Sequence, residues 1–514
     1  MLCANAYFPA DIGGKEFCQN RNNWAFGYVS GLFFKRKLRT SFATGSRFLF
    51  GTIRTNLQSF AARLGRDPSQ GESGATSTLW EFPDSSFCRQ HKSWQVYGRA
   101  DLSVGSTCGS DRRQTTTHRA VTMVVLGRTR FAISPTNLAL IKYWGKRDTQ
   151  LNLPINSSIS VTLDSRELHT ITTCSFAPEG ETTDKLWVNG KPIALDTVPR
   201  TVRVLELVRA LAGVDSNSRR ICIVSKNSFP TAAGLASSAS GYSAMVTALA
   251  GLFDLKTSKE ELSRIARQGS GSASRSLMGG VVMWNMGERK DGLDSQAELV
   301  PFPASKVDLE AIICVVSEKK KKVSSTAGMQ TSVKESPLLA HRAKEIVPQR
   351  INEMKQAFAN ADVSKVLELT MRDSNQFHAT CLDTFPPIFY MTDTSKEIVN
   401  LVTELNNQCG GGEVRYAYTF DAGPNAVVFC EPQHTPALLQ ALLEAFPPPL
   451  EGNGDFNYVR GRTELKSSEV RASKRAKIDS NPEGDLCYLF HTGMDRVGAR
   501  VLHGEEEQSR QLTI

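Results

Sequence analysis

No apolar run in the 514-residue sequence approaches the roughly 20 residues of a membrane-spanning helix, so no transmembrane segment is expected. No two of the eleven cysteines form a C-x-x-C pair, and their number is odd. Both features argue against a disulfide framework and a structural zinc site, and the natural reading is a reducing, cytoplasmic compartment. The eight histidines show no metal-ligand spacing. No Gly-Lys-Ser/Thr follows a glycine, so a Walker A loop is excluded. Internal repeats are missing too. Acidic residues are missing from one long stretch: Phe17 to Arg66 holds nine Lys/Arg and no Asp or Glu.

That stretch accounts for the overall charge. The net +9 divides into 16 Lys+Arg against 8 Asp+Glu over residues 1–122, leaving only +1 for the other 392 residues. The basic character therefore says nothing about the main body. Residues 1–122 are Arg- and Ser-rich and poor in apolar periodicity, and 67–122 read as disordered. The composition fits an organelle transit-like extension, although Asp11 and Glu16 fit it less well. A start at Met123, with the upstream part a gene-model artefact, is the competing reading. Nucleic-acid binding is the weaker third, and no nucleic-acid partner is expected.

From about Val121 the chain alternates strand and helix signals of an α+β protein. Phe131–Trp144 reads as one strand with a polar interruption. Ser157–Leu163 and Leu168–Phe176 follow as strands. Lys185–Val188, Asn189-Gly190 and Lys191–Ile193 read as a hairpin on a favoured two-residue turn. Val202, Leu205, Val208 and Leu211 share a helix face. Ser258 and Glu261 suggest a capping box. A second region begins after Lys319–Lys322. Ser336-Pro337 opens a helix over Leu338–Phe358, with a kink expected at Pro348. Strands over Tyr416–Phe420 and Ala426–Cys430 flank an Asp421-Ala-Gly-Pro-Asn turn. Residues 447–483 read as loop and the tail beyond 495 as loose. The expected division is 1–122, 123–318, 319–495 and 496–514.

Several stretches are dense in chemistry. Gly234-Leu235-Ala236-Ser237-Ser238 has almost no side-chain bulk and leads into an apolar-periodic helix starting at Ser237 or Ser238. A helix N-terminus behind a small-residue loop suits a phosphate; tight packing with serine caps is the structural alternative. Gly269 to Ser276 is a second small-residue loop and ends beside Arg275, whose guanidinium suits a carboxylate or phosphate. Its alternative is a linker. Asn137 to Ser158 carries Asn137, Lys142, Tyr143, Trp144, Lys146, Arg147, Asp148 and Asn156. Lys142 ends an apolar run, where a lysine needs an anion, or snorkels. Asp421 is either a turn former or a carboxylate aimed into a cleft to orient or deprotonate a hydroxyl. His378 reads as structural. Lys319–Lys322 with Ser324-Ser325-Thr326 reads as a basic lid or a solvated loop.

Long blocks then match a family in order: Ile141-Lys-Tyr-Trp-Gly-Lys-Arg-Asp148, Asn227 to Ser238, Gly269 to Arg275, Asp373-Ser-Asn-Gln-Phe-His-Ala-Thr380, and Tyr418 to Ala426. From about Phe131 to Phe490 the chain resembles the diphosphomevalonate decarboxylases of the GHMP kinase superfamily. The resemblance implies a ribosomal-protein-S5-domain-2-like N-terminal domain and a ferredoxin-like α+β C-terminal domain. It implies ATP and Mg2+ as cofactors, mevalonate 5-diphosphate as substrate, a homodimer, and a place in the mevalonate route of isoprenoid and sterol synthesis. The implied reaction phosphorylates the 3-hydroxyl and then releases phosphate and CO2 to give isopentenyl diphosphate. By motif position Asp421, Lys142 and Arg275 are catalytic. Asn137, Tyr143, Trp144, Ser270, Ser272, Arg275 and Arg200 bind substrate. Gly234, Leu235, Ala236, Ser237 and Ser238 bind ATP, with Ser238 also at the metal. Ser274 departs from the family's usual cysteine. The alternatives are a relative acting on the 5-phosphate, one that stops at the 3-phosphate, and a non-catalytic scaffold, whose broken motifs are not found.

Overall fold

The computed structural model describes residues 128–215, 219–229, 237–319, 321–448, 455–473, 486–504 and 506. The basic stretch and the Gly234-Leu235-Ala236 loop lie outside them. Among the described residues the strands form two mixed six-stranded sheets, an antiparallel four-stranded sheet and a two-stranded ribbon.

Thr136 explains how the first two sheets relate. The single strand expected over Phe131–Trp144 is two strands, Thr129–Pro135 and Asn137–Ile141, in different sheets. Pro135 has no N–H with which to continue a ladder. Thr129–Pro135 pairs with His169–Phe176 in the first sheet, whereas Asn137–Ile141 is an edge strand of the four-stranded sheet and pairs with Ser158–Thr162. Strand Ser158–Thr162 is buried on both faces. Its alternation sends Ile159 and Val161 into the apolar core and Ser158 and Ser160 to the other side. The hairpin is as expected, with Asn189 and Gly190 at φ 50° and 76°, the left-handed pair that such a turn requires.

Helix Ser237–Phe253 is buried nearly all round, because it lies between the first sheet and helices Lys259–Gly269 and Ala273–Ser276. Its small residues Ala239, Ser240, Ala244 and Ala248 permit that enclosure. Helix Pro199–Leu211 turns Thr201, Val204, Leu205 and Val208 inward, and Leu211 is exposed. Ser258 caps Lys259–Gly269 by accepting from the Glu261 N–H. The Glu261 carboxylate instead takes the Thr257 hydroxyl.

Strand Glu310–Val315 is central in the third sheet, flanked by Ala426–Cys430 and Tyr488–Gly493. One apolar core joins this sheet, the four-stranded sheet and helices Val347–Ala359 and Val363–Leu382. The helix expected over Leu338–Phe358 is Pro337–His341, a π turn Arg342–Ile346, and Val347–Ala359. Pro348 cannot donate to Lys344 and crowds its carbonyl, so the ladder widens before it.

Two expectations need correction. Within 447–483, Asn457–Gly461 and Leu465–Lys466 are strands and Ser467–Ser473 is a helix; the first of these pairs parallel to Tyr488–Gly493. Nor is the start of the tail loose: Arg500–Val501 pairs with Thr129–Pro135. The Ala499 N–H donates to the Ser276 carbonyl at 3.0 Å and the Gly280 N–H to the Asp495 carbonyl at 2.7 Å. The contact is close because Gly279 lacks a Cβ, which would lie 2.1 Å from the Arg496 backbone.

Candidate active site

Asn137, Lys142, Tyr143, Trp144, Arg200, Ser237, Ser238, Ser270, Ser272, Arg275 and Asp421 all line one cavity of about 580 Å³. Gly234, Leu235 and Ala236 lie outside the described residues. The rest of the wall includes Lys146, Lys319, Lys321, Ser325, Thr326, Met329 and Phe377. Among the described residues the cavity thus gathers six cations (Lys142, Lys146, Arg200, Arg275, Lys319, Lys321) against one carboxylate, Asp421.

Lys142 and Asp421 each follow directly on the end of a strand, Asn137–Ile141 and Tyr416–Phe420. The Lys142 ammonium donates to Asp421 Oδ1 at 2.7 Å. The Lys142 side chain is 4% exposed and that of Asp421 43%, so the carboxylate faces the cavity from a buried support. Burial pushes the Asp421 carboxyl up, but Lys142, Lys321 and Arg275 overcome it and hold it below the usual carboxylate range. His378 packs on Phe420 behind this pair. Burial and Lys142 lower its pKa to about 4, so it is neutral near pH 7, in keeping with a structural role.

Arg275 is 2% exposed, on the short helix Ala273–Ser276. Its Nη1 donates to Ser158 Oγ at 2.6 Å and its Nε to Ser160 Oγ at 3.0 Å. Asn137 braces the same helix, donating to Ser276 Oγ at 2.7 Å and the Ser272 carbonyl at 3.0 Å. Among the described residues no carboxylate lies within ion-pair distance of Arg275. Burial lowers its pKa to about 10, opposed by Asp421, so it stays a cation near neutral pH with only neutral hydrogen-bond partners. A Cβ on Gly271 would lie 2.8 Å from the Trp284 ring and 2.9 Å from the Tyr143 hydroxyl. The bare backbone there keeps the Ser270–Ser272 wall open.

Ser238 Oγ lies 3.1 Å from Ser270 Oγ, joining the two small-residue segments. Tyr143 packs edge-on against Trp284, and burial raises its hydroxyl to about 12. Trp144 is almost enclosed at 2% exposure; its indole N–H donates to Ser332 and its ring packs on Phe377. It therefore supports the wall. Arg200, in the first turn of Pro199–Leu211, reaches Thr326 at 3.5 Å.

Lys146, from the group-rich stretch Asn137 to Ser158, and Lys319 and Lys321, from the run read as a lid or a solvated loop, line the cavity without having been assigned a ligand. Burial and Arg200 lower the Lys146 pKa to about 8. Lys321 donates to the Ala422 carbonyl beside Asp421, which favours the lid reading of the lysine run. The Lys319–Lys322 charge run was the available signal. A second hollow of about 760 Å³ lies between hairpin strands Lys185–Val188 and Lys191–Ile193 and helix Pro199–Leu211. Its charges balance: Lys185, Arg209 and Arg220 face Asp184, Asp196 and Glu206.

A phosphate-bearing ligand fits this excess of cations over hydroxyl-lined, side-chain-poor walls. Comparison with known proteins agrees. Residues 134–297 match the diphosphomevalonate decarboxylase-like N-terminal domain, and 311–500 the mevalonate 5-diphosphate decarboxylase C-terminal domain. The diphosphomevalonate decarboxylase of Candida albicans is 51% identical over 325 residues, covering 61% of this chain and 87% of that protein. The structure of mevalonate diphosphate decarboxylase from Trypanosoma brucei superposes with a TM-score of 0.64 at 34% identity, covering 74% of this chain and 99% of that one. A structure of MDDEF in complex with MVAPP, AMPPCP and magnesium superposes with a TM-score of 0.58 at 29% identity over 73% and 99% of the two chains. With domain models matching residues 134–297 and 311–500 and half of the aligned residues identical to those of a relative covered over 87% of its length, this chain belongs to the diphosphomevalonate decarboxylase family.

Proposed function

We propose that the protein converts mevalonate 5-diphosphate and ATP to isopentenyl diphosphate, ADP, phosphate and CO2. The observation that carries this reading is the Lys142–Asp421 pair in a cavity it shares with Arg275, where six cations meet one carboxylate. Such a field suits a ligand with several phosphates. Arg275, already desolvated, would hold the substrate carboxylate. Lys146, Arg200, Ser270 and Ser272 line the side suited to the diphosphate, and Ser238 with Lys319 and Lys321 the side suited to ATP. Magnesium, when bound, would supply charge neutralisation between the ATP phosphates, with Ser238 the residue placed to hold it.

Phosphoryl transfer depends on positioning and charge more than on covalent help. A carboxylate held low by Lys142 is a weak base near neutral pH, so Asp421 acts chiefly by aligning the 3-hydroxyl with the phosphoryl group it receives. Lys142 balances charge at the same atoms. Once phosphate leaves the tertiary carbon, positive charge builds there, and the carboxylate fixed by Arg275 loses CO2 toward it. The GHMP kinase description of the two domains, the split near residue 318, homodimerisation and a cytoplasmic location belong to the same reading. Exposed Leu382, Phe385 and Phe389 supply an apolar surface that dimerisation would cover.

The test incubates the full chain with ATP, magnesium and mevalonate 5-diphosphate. CO2 and isopentenyl diphosphate are expected in step with ADP. ADP without CO2 would mean a kinase that stops at the 3-phosphate, and neither product would mean a scaffold.

A further inference from the structure

Lys142 and Asp421 stand at the ends of edge strands of two different sheets. Neither sheet's ladder fixes one end relative to the other. Helix Val363–Leu382 packs against both strands. Two consecutive residues of it reach the two ends. Asp373 Oδ2 accepts the Lys142 backbone N–H at 2.7 Å. Ser374 Oγ accepts the N–H of Phe420, the residue before Asp421, at 3.1 Å.

The Asp373 end is bound from every side. Arg342 Nη2 donates to Asp373 Oδ2 at 2.8 Å and to the Lys142 carbonyl at 3.2 Å, and Asn156 donates to that carbonyl at 3.1 Å. Arg350 donates to Asp373 Oδ1 at 2.8 Å. Asp373 and Arg342 are fully buried. A buried Arg–Asp–Arg cluster is a poor source of stability, since desolvation of its charges offsets most of their attraction. What it does supply is a fixed point: both polar backbone groups of Lys142 are held by side chains from outside its own sheet. Arg342 opens the π turn before Pro348, an irregularity common at functional sites.

We propose that helix Val363–Leu382 sets the register of the reacting pair, with Asp373 and Ser374 as positioning residues that keep the Lys142 ammonium on the Asp421 carboxylate. This rests on the decarboxylase reading. It assigns a task to Asp373 and Ser374, neither of which lines the cavity.

The experiment compares Asp373→Ala, Asp373→Asn and Ser374→Ala in the full chain. Leu442→Ala, in a fully buried site of helix Thr435–Ala445, serves as a control for lost stability alone. A displacement of about 1 Å costs on the order of 100-fold, so kcat is expected to fall by ~30- to 100-fold in Asp373→Ala and ~5-fold in Ser374→Ala. Asp373→Asn, which keeps one acceptor oxygen, should recover part of the loss. KM for both substrates should stay within about threefold. The acid limb of the kcat–pH profile should move up toward the ordinary carboxylate range as Lys142 drifts from Asp421; Lys321, Arg275 and His378, the other groups facing Asp421, are unchanged. Leu442→Ala should lower Tm without these changes. Folded variants with kcat within twofold of the parent would overturn the proposal, as would a kcat loss with no shift of the limb and no recovery in Asp373→Asn. Should the Asp373 variants not fold, Ser374→Ala decides by its kcat and limb. A parent protein that releases no CO2 would refute the reaction, whereas an active parent with indifferent variants would refute only the positioning role.

Discussion

Two hollows among the described residues differ in how they treat their charges. One, of about 760 Å³, neutralises its own charges: Arg209 and Asp184 bond each other twice, at 2.7 and 2.8 Å, on its wall. The other, of about 580 Å³, is lined among the described residues by six cations and one carboxylate. Arg275 there bonds serine hydroxyls and the Asn137 amide oxygen, and Lys321 a serine hydroxyl and a backbone carbonyl. Those oxygens hold the cations in place without cancelling their charge. On the proposed function, the cavity that takes the ligand is the one that leaves charge for the ligand to complete.

The sharpest break of that contrast is Asp421→Asn. Turnover should fall by ~10²- to 10⁴-fold, with ATP affinity measured by titration little changed. Near-normal turnover would remove Asp421 from the chemistry. Arg275→Gln should follow, with kcat/KM down by ~10²- to 10³-fold; Arg275→Lys should not restore it, because a point charge cannot match a carboxylate in bidentate fashion.

A smaller effect tests the excess cations through pH. Lys146 has a pKa of about 8 in the ligand-free cavity. A bound diphosphate would raise it, so binding takes up a proton and weakens as pH rises through 8. Affinity for mevalonate 5-diphosphate should drop about tenfold between pH 7 and 9, and Lys146→Arg should flatten that limb. A parent profile flat to pH 9 would take Lys146 out of ligand binding.

The smallest effect on turnover belongs to the balanced hollow. Arg209→Leu leaves the half-buried Asp184 with the Ile221 N–H but without its cation, and should cost about 2–4 kcal/mol of stability, read from denaturant melts. The kcat per folded molecule should stay within twofold. A large loss of kcat there would end the distinction between the hollows.

Much of this was legible in sequence because its signals are local. Asn189-Gly190 states its hairpin, and the Ser336-Pro337 cap and Tyr416–Phe420 strand lie where their patterns put them. Lys142, Arg275 and Asp421 stood out as candidates because long motifs hold them, and the structure brings the three to one cavity. The failures are non-local. Thr136 divides a continuous apolar run only because two sheets exist to receive its halves. Asn457–Gly461 is a strand because Tyr488–Gly493 offers it a parallel edge, which its own composition does not announce. Asp373 meets Lys142 from 231 residues away, and nothing beside either residue records the meeting.

Strand Arg500–Val501 has a consequence in time. Its partner Thr129–Pro135 emerges from the ribosome far earlier, and at roughly 5–20 residues per second the wait for residue 501 is on the order of half a minute. Until then one side of that strand, which carries Phe131, Ala132 and Ile133, offers an unpaired edge to any passing chain. The last described strand thus acts as a closing seam, and a nascent chain stopped short of it would leave the first described strand open.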